Sequence, residues 1–137
     1  MSAEKLAAES ARWMAQALDD FRAAGILLAG GGLPQAGFYA QQTAEKAIKA
    51  VLYSLDADPW GHSIRRLIDG MTEPARATFS AVRDAAIALD KLYIPTRYPD
   101  ALPDSIPAEA YTRAEIEQAM AEAKRVLEAC EAWLKAN

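Results

Sequence analysis

Apolar residues recur at three- and four-residue steps through most of this chain, and this spacing restricts its fold more than any other feature. In the segment from residue 3 to about 29, the pattern comprises Met14, Ala17, Leu18, Phe21, Ala24 and Leu28. Such steps place apolar side chains on one face of an α-helix, whereas a half-buried strand requires strict alternation. No segment shows a strand signal. The sequence therefore predicts an all-α chain.

Glycine and proline divide the pattern into separate helices. Gly30-Gly31-Gly32 ends the first helix because three glycines make continued helix costly, and Pro34 suits the first turn of a second helix that runs to about Leu55. Ser63 is a candidate cap for a short third helix, which stops near Gly70. The chain thus begins with two long helices and a short one.

Two further helices are predicted in the second half of the chain. One begins at Pro74 and is closed by Pro95, and its apolar stripe consists of Phe79, Val82, Ala86, Leu89 and Tyr93. The other opens with a capping box, Thr112-Arg113-Ala114-Glu115, and runs almost to the last residue. Long helices joined mostly by short loops predict an antiparallel up-and-down bundle of four to five helices, with residues 1–137 as a single domain.

Prolines at positions 95, 99, 103 and 107 shape the segment between these helices. A proline at every fourth residue removes a backbone donor from each potential turn, so we expect a loop without regular helix from Pro95 to Tyr111. A loop of this length inside a small domain is uncommon and often functional. Its aromatic and charged residues indicate an ordered loop packed on the bundle.

Charge and composition exclude several classes of protein. The net charge of −4 argues against a general nucleic-acid binder, although it leaves room for a local basic pocket. A disulfide needs a second cysteine besides Cys130, and His62 and Cys130 lie too far apart in the sequence to suggest a metal site. We expect neither a metal nor a cofactor. No apolar run is long enough to cross a bilayer and no signal peptide is evident, so we expect a cytoplasmic protein.

The polar face of the second helix is the first candidate binding surface. Gln42, Lys46 and Lys49 lie along its centre, with Glu45 at one edge. One interpretation is a solvated face with an ion pair between Glu45 and Lys49, and the other is a cationic surface for a phosphate. Gln41 lies inside the apolar arc and would need a hydrogen-bond partner if buried.

Arg97 and His62 are the other candidate residues. Arg97 stands between Pro95 and Pro99 and beside Tyr98, and its planar guanidinium suits a phosphate or a carboxylate. It either faces a ligand or ties the loop to an acidic residue of the bundle. His62 is the only histidine, so it is either a group that titrates near neutrality or a loop and capping residue. Cys130, on the apolar face of the last helix, is interpreted as a small core residue.

Several segments resemble the HEPN family of small helical proteins. Residues 38–50, FYAQQTAEKAIKA, look like its "A-Q-Q-A-A-E-K-A" helix, and residues 61–67, GHSIRRL, resemble its "H-x-L-x-x-L" segment. Residues 89–100, LDKLYIPTRYPD, resemble its "L-x-x-x-Y-x-x-x-R-Y-P" signature, and Pro107 with Tyr111-Thr112 matches its "P-x-x-x-Y-T". The resemblance covers nearly the whole chain, in order.

The resemblance implies a helical bundle that dimerises. HEPN proteins are often encoded beside a minimal nucleotidyltransferase, and they have been proposed to bind nucleotides or to act with that partner. Many are metal-independent RNases, frequently toxins, that use an Arg-x(4–6)-His motif at the dimer interface. This chain departs from that motif, because Arg22 is the nearest arginine before His62 and no histidine follows Arg97.

These observations lead us to expect a binding module for a nucleotide or other phosphate ligand, acting with a nucleotidyltransferase in a toxin–antitoxin-like pair. The expected ligand-binding residues are Gln42, Lys46, Lys49, Arg97 and Tyr98, with a contribution from His62. The alternatives are an RNase with Arg97 and His62 as catalytic candidates, against which the missing motif argues, and a structural dimer adaptor. The expected partners are a second copy of the chain, a nucleotidyltransferase, and a nucleotide or RNA.

Overall fold

The computed structural model describes residues 1–137, and helices are its only regular elements. The α-helices are α1 (Ala3–Ala29), α2 (Leu33–Ser54), α3 (Ile64–Asp69), α4 (Ala75–Phe79), α5 (Arg83–Asp90), α6 (Pro107–Ala110) and α7 (Arg113–Ala136). Short 3₁₀ turns occupy Ser80–Val82 and Pro99–Ala101. The predicted all-α bundle is confirmed. No helix combines the length and the apolar character that crossing a membrane requires.

Contacts between distant residues show how the helices are arranged. The Ser10 hydroxyl donates to the Ala50 carbonyl at 2.7 Å, so the start of α1 lies beside the end of α2. At the other end of α1, Arg113 at the start of α7 donates to the Leu28 carbonyl. The α4–α5 segment runs against α7, since Phe79 packs on Trp133 with ring centroids 5.9 Å apart. Helices α2 and α7 therefore run antiparallel to α1, and the α4–α5 segment runs antiparallel to α7.

One hydrophobic cluster of 22 buried residues fills the centre of the bundle. Alanine dominates where α1 meets α2, and Ala17, Ala40, Ala44 and Ala47 are all fully buried. Small side chains let two helices approach closely along their length. The largest fully buried side chain, Phe79, fills the space beside α7.

The predicted fourth helix is wrong in two respects. It is interrupted by the 3₁₀ turn at Ser80–Val82, and it ends at Asp90, so Tyr93 does not continue its apolar stripe. Pro95 explains the early end, because it lacks the N–H that would bond to the Lys91 carbonyl and it disfavours helical backbone at the preceding residue. Residues 91–97 instead form a series of turns.

The proline-rich segment is mostly non-helical, as predicted, apart from the 3₁₀ turn at Pro99–Ala101 and a helical turn at its end. Pro107 starts the single turn of α6, where a proline costs nothing because the first N–H of a helix has no intrahelical partner. The expectation of a segment without any helix was therefore wrong for residues 107–110. The capping predictions are confirmed: Ser63 accepts from the Arg66 amide, and Thr112 and Glu115 form a capping box.

Candidate functional site

The side chain of Arg97 lies among three aromatic rings. Its Cζ is 4.5 Å from the ring centroid of Phe38, 4.6 Å from that of Tyr93 and 5.2 Å from that of Tyr98. Its Nε donates to the Tyr93 carbonyl at 2.8 Å, and its two terminal nitrogens form neither a hydrogen bond nor an ion pair within the chain. The idea that Arg97 ties the loop to an acidic residue is therefore wrong. Cation–π contacts hold the guanidinium instead.

The turns that carry Arg97 are fixed on α2 and α7 at Gly37. A Cβ added to Gly37 would lie 3.0 Å from Ile116 Cδ1 and 3.6 Å from Thr96 Cγ2, so only glycine permits this spacing without displacement. Thr96 is buried, and its hydroxyl donates to the Leu92 carbonyl at 2.6 Å. The residue before Arg97 is thus anchored, and Arg97 itself remains exposed.

A cavity of about 400 Å³ opens beside Arg97. Residues from the start of α2, the turns of residues 91–97 and α6 surround it: Gln35, Phe38, Tyr39, Thr96, Arg97, Ile106, Pro107 and Ala108. Its volume lies within the usual range for small-molecule sites, about 300–1,000 Å³. The proline-rich segment therefore provides one wall of the candidate site.

His62 is brought to the same cluster from the loop before α3. Its ring stacks on Tyr93 with centroids 4.7 Å apart and an interplanar angle of 16°. Its Nδ1 lies 3.4 Å from Glu45 Oε2, and its carbonyl oxygen accepts a hydrogen bond from Gln41 Nε2. His62 and Arg97 thus contact one tyrosine ring, although they lie far apart in the sequence.

A buried polar network lies beneath His62. Glu45 is only 3% exposed, and it accepts a hydrogen bond from Gln41 at 3.1 Å and forms an ion pair with Lys49 at 3.2 Å. Gln41 is fully buried and also accepts from Gln42 at 2.8 Å. The predicted need of Gln41 for partners is confirmed, and the network fixes the loop that carries His62 to α2.

The interpretation of the α2 polar face as a solvated surface is wrong, although the predicted Glu45–Lys49 pair is present. Lys49 is 8% exposed and lies over the Trp13 ring, while Lys46 pairs with the buried Asp20 of α1. Helix α1 covers this face and supplies polar partners for it. Both ammonium groups are engaged, so the site proposed below does not depend on them.

Phe38 and Tyr93 are site residues that the sequence did not single out. The sequence pattern places Tyr93 in an apolar stripe, and Phe38 belongs only to the motif of residues 38–50. The one local signal is the four-residue step from Tyr93 to Arg97, which in a helical turn brings a ring and a cation together. Phe38 approaches Arg97 only through tertiary packing, so no spacing in the sequence signals this contact.

Cys130 and the acidic residues offer no further reactive site. Cys130 is fully buried, and burial raises the pKa of its thiol, so its predicted place in the core is confirmed. No group of three or more His, Cys, Asp or Glu side chains lies close enough together to hold a metal ion. The groups gathered at the site are Arg97, His62 with Glu45 at its Nδ1, and the rings around them.

Comparisons with known proteins agree on one family. A family model described as HEPN domain matches residues 10–133. The crystal structure of TT1696 from Thermus thermophilus is similar, with a TM-score of 0.83, 38% sequence identity, and coverage of 90% of this chain and 97% of that chain. No curated protein matches.

Two further solved structures carry the family name. ST0689, an archaeal HEPN homologue, has a TM-score of 0.76 and 33% identity, covering 92% of this chain and 98% of that chain. An HEPN domain protein from Thermotoga maritima, TM0613, has a TM-score of 0.67 and 32% identity, covering 90% of this chain and 98% of that chain. The similarity therefore extends over almost the full length of each of these proteins.

Proposed function

This chain belongs to the HEPN family, and on that premise we propose that it is a binding module whose Arg97 holds the phosphate of a nucleotide. One observation carries the proposal: Arg97 is exposed, no carboxylate neutralises it, and Phe38, Tyr93 and Tyr98 hold its guanidinium in place. Arg76 is also exposed without a carboxylate partner, but only Arg97 is held by aromatic rings. Here four N–H donors point to a ligand that the chain itself does not supply.

Phosphate is the chemistry that best suits this arginine. A guanidinium forms two parallel charge-assisted hydrogen bonds to phosphate, and these are about twice as strong as neutral ones. The rings around Arg97 limit its rotamers before binding, so less conformational entropy is lost when the ligand arrives. The chain is acidic overall, which means that attraction of an anion has to come from this local site.

The surroundings of Arg97 suit the rest of a nucleotide. Tyr98 is about half exposed and offers a ring face on which a base can stack. His62 Nδ1 faces Glu45, whereas its Nε2 forms no hydrogen bond within the chain and is available to a ligand. The cavity beside Arg97 has no carboxylate in its lining, so no negative charge on its wall repels an anion.

Calorimetric titration of the purified chain with AMP, ATP and a short RNA tests this proposal. We expect wild-type protein to bind at least one of them and Arg97→Gln to bind it about 10- to 100-fold more weakly, as for loss of a charged hydrogen bond. Arg76→Gln is the matched control, because Arg76 is also exposed and unpaired but lies outside the site. Absence of binding by wild type, or an equal loss in Arg76→Gln, would contradict the proposal.

A metal-independent RNase is the second candidate, and the contact of both His62 and Arg97 with Tyr93 favours it. His62 would act as general acid or base while Arg97 stabilises the phosphate. Incubation of a short RNA with the protein in EDTA separates the candidates. Cleavage that disappears in both His62→Gln and Arg97→Gln supports the enzyme, and intact RNA with measurable binding supports the binding module.

The homodimer and the nucleotidyltransferase partner, in a toxin–antitoxin-like pair, complete the proposal. They are supported by membership of the family and not by the geometry of the site. Light scattering on the purified chain tests the dimer, with a mass twice that of the 14.8 kDa chain as the expected result. Co-purification with a co-expressed minimal nucleotidyltransferase tests the partner. A structural dimer adaptor would give the doubled mass without any nucleotide binding.

A further inference from the structure

An exposed tryptophan stands next to the candidate site and is not used by it. Trp60 is 86% exposed, more than any other large hydrophobic side chain of the protein. It lines a cavity of about 560 Å³, together with residues from the end of α2, the following loop and α3. An indole that is exposed on a folded protein offers a large apolar face to a binding partner. Large aromatic residues are enriched where proteins bind partners.

The backbone on both sides of Trp60 is fixed. The Asp58 carboxylate accepts a hydrogen bond from the Trp60 amide at 3.0 Å. Gly61 follows with φ of +117°, a conformation that residues with a side chain rarely adopt. The loop thus fixes the backbone that carries the indole, and one carboxylate oxygen of Asp58 is already engaged.

A cation without a partner lies on the same cavity. Arg66 is exposed, and its guanidinium forms no hydrogen bond or ion pair within the chain. Its neighbour Arg65 behaves differently, since it pairs with Asp69 at 3.1 Å. The structure therefore neutralises one arginine of α3 and leaves the other beside the exposed indole.

His62 joins this cavity to the Arg97 site, because it stacks on Tyr93 and also lines the cavity. We propose that Trp60 and Arg66 form a second nucleotide subsite, so that the ligand is a single-stranded polynucleotide spanning both subsites. This inference rests on the proposed nucleotide binding at Arg97. Aromatic platforms interleaved with cations are the usual means of holding single strands, because every base can stack and every linkage carries a charge.

A protein partner is the competing occupant of this surface. Only four of the ten residues that line the cavity are hydrophobic, and the others include His62 and Arg66 together with one carboxylate, Asp58. A hydrophobic protein interface has a core depleted in charged groups, whereas single strands need them. Asp58 already accepts a hydrogen bond from the Trp60 amide, whereas Arg66 has no partner within the chain, so the lining favours an anionic strand.

Titration of AMP and of a six-nucleotide oligoadenylate into the full chain tests the inference. We expect the wild type to bind the hexamer more tightly than AMP. Trp60→Leu should weaken hexamer binding about 5- to 100-fold, the usual effect of losing one stacked base, and should leave unchanged the AMP binding that Arg97→Gln weakens. Trp60→Phe keeps a ring face and should retain most of the hexamer affinity. The exposure of Trp60 means that these variants should fold normally.

Salt dependence gives an independent measurement for Arg66. Each phosphate contact on a single strand contributes about 0.7 to the slope of log K against log salt. We expect Arg66→Gln to reduce the slope for the hexamer by about that amount, and Arg76→Gln, the matched control outside the cavity, to leave it unchanged.

The possible failures are distinguishable. AMP binding with no advantage for the hexamer, or with equal hexamer affinity in Trp60→Leu, overturns the second subsite and leaves the proposed function intact. Absence of binding to both ligands overturns the second subsite, and absence of ATP binding as well overturns the proposed function. A change of molecular mass by light scattering in Trp60→Leu would assign Trp60 to a protein interface and would also overturn the inference.

Discussion

At the scale of single residues, the buried carboxylate of Glu45 determines how the site is held together. It receives a hydrogen bond from Gln41, an ion pair from Lys49 and the Nδ1 of His62. A buried charge is tolerated only when it is paired and hydrogen-bonded. The side chains that contact Glu45 together compensate for the cost of burying its charge. Loss of one of them leaves part of that cost uncompensated.

Replacement of Lys49 by methionine tests this dependence. Lys49→Met keeps the length of the side chain but leaves Glu45 buried without its cation, and we expect the free energy of unfolding to fall by about 3 kcal/mol. Urea denaturation measures it. Lys124→Met is the control, since Lys124 is exposed on α7 and unpaired. Equal stability of the two variants would show that Glu45 does not need Lys49.

Asp69 provides a prediction about pH. Hydrogen bonds from Arg83 and then Arg65 lower the pKa of its carboxyl to about 2, although its side chain is 37% exposed. A carboxyl whose pKa is lower in the folded state stabilises the fold above its unfolded pKa of about 3.9. That contribution is lost as the pH falls through the folded value near 2.

We therefore expect Asp69→Asn to melt at a lower temperature than wild type at pH 7, because it lacks the anion that both arginines bind. The difference should narrow as the pH falls from about 4 to about 2, where the wild-type carboxyl takes up its proton. Thermal unfolding followed by circular dichroism across this range measures it. A difference that stays constant down to pH 2 would contradict the assignment.

At the scale of elements, the position of Arg97 depends on the close contact of α2 with α7 and with residues 92–96. Gly37 is the point of contact, as Ile116, Thr96 and Leu92 all lie within 4 Å of where its Cβ would be. A side chain at this position has to push aside either α7 or the turns that carry Arg97. The site and the packing of the bundle are coupled through this glycine.

Gly37→Val should therefore lower stability by about 1–3 kcal/mol, the usual cost of overpacking, and should also weaken nucleotide binding. Gly25→Ala is the matched control, because nothing lies within 4 Å of that position in α1 and alanine favours helix by about 0.5–1 kcal/mol. Urea denaturation and calorimetry on both variants provide the test. Unchanged stability and binding in Gly37→Val would show that the contact does not matter.

Element boundaries were predictable where a local signal marks them. The glycines after α1, the Ser63 cap of α3 and the Thr112 capping box of α7 all act within a few residues. The break between α4 and α5 has no such signal. There Arg125 of α7 donates to the Ala81 carbonyl at 3.1 Å, a contact between residues 44 apart that periodicity cannot reveal.

At the scale of the whole molecule, the bundle brings residues that are far apart in the sequence together on one surface. The sequence pointed to Arg97, Tyr98 and His62, but it did not show that His62 and Arg97 share Tyr93. It did not show that Lys46 pairs with Asp20, because Asp20 comes from α1. The type of each side chain is known from the sequence, whereas its partners and its burial depend on which helices pack together.

The most direct test of the central claim is a crystal structure of the chain grown with a saturating concentration of the nucleotide that it binds in calorimetry. We expect a phosphate oxygen within about 3 Å of the terminal nitrogens of Arg97, the usual length of a charge-assisted hydrogen bond, with the rings of Phe38 and Tyr93 still packed on the guanidinium. A nucleotide bound elsewhere, or an Arg97 paired with a carboxylate of the protein, would contradict the claim.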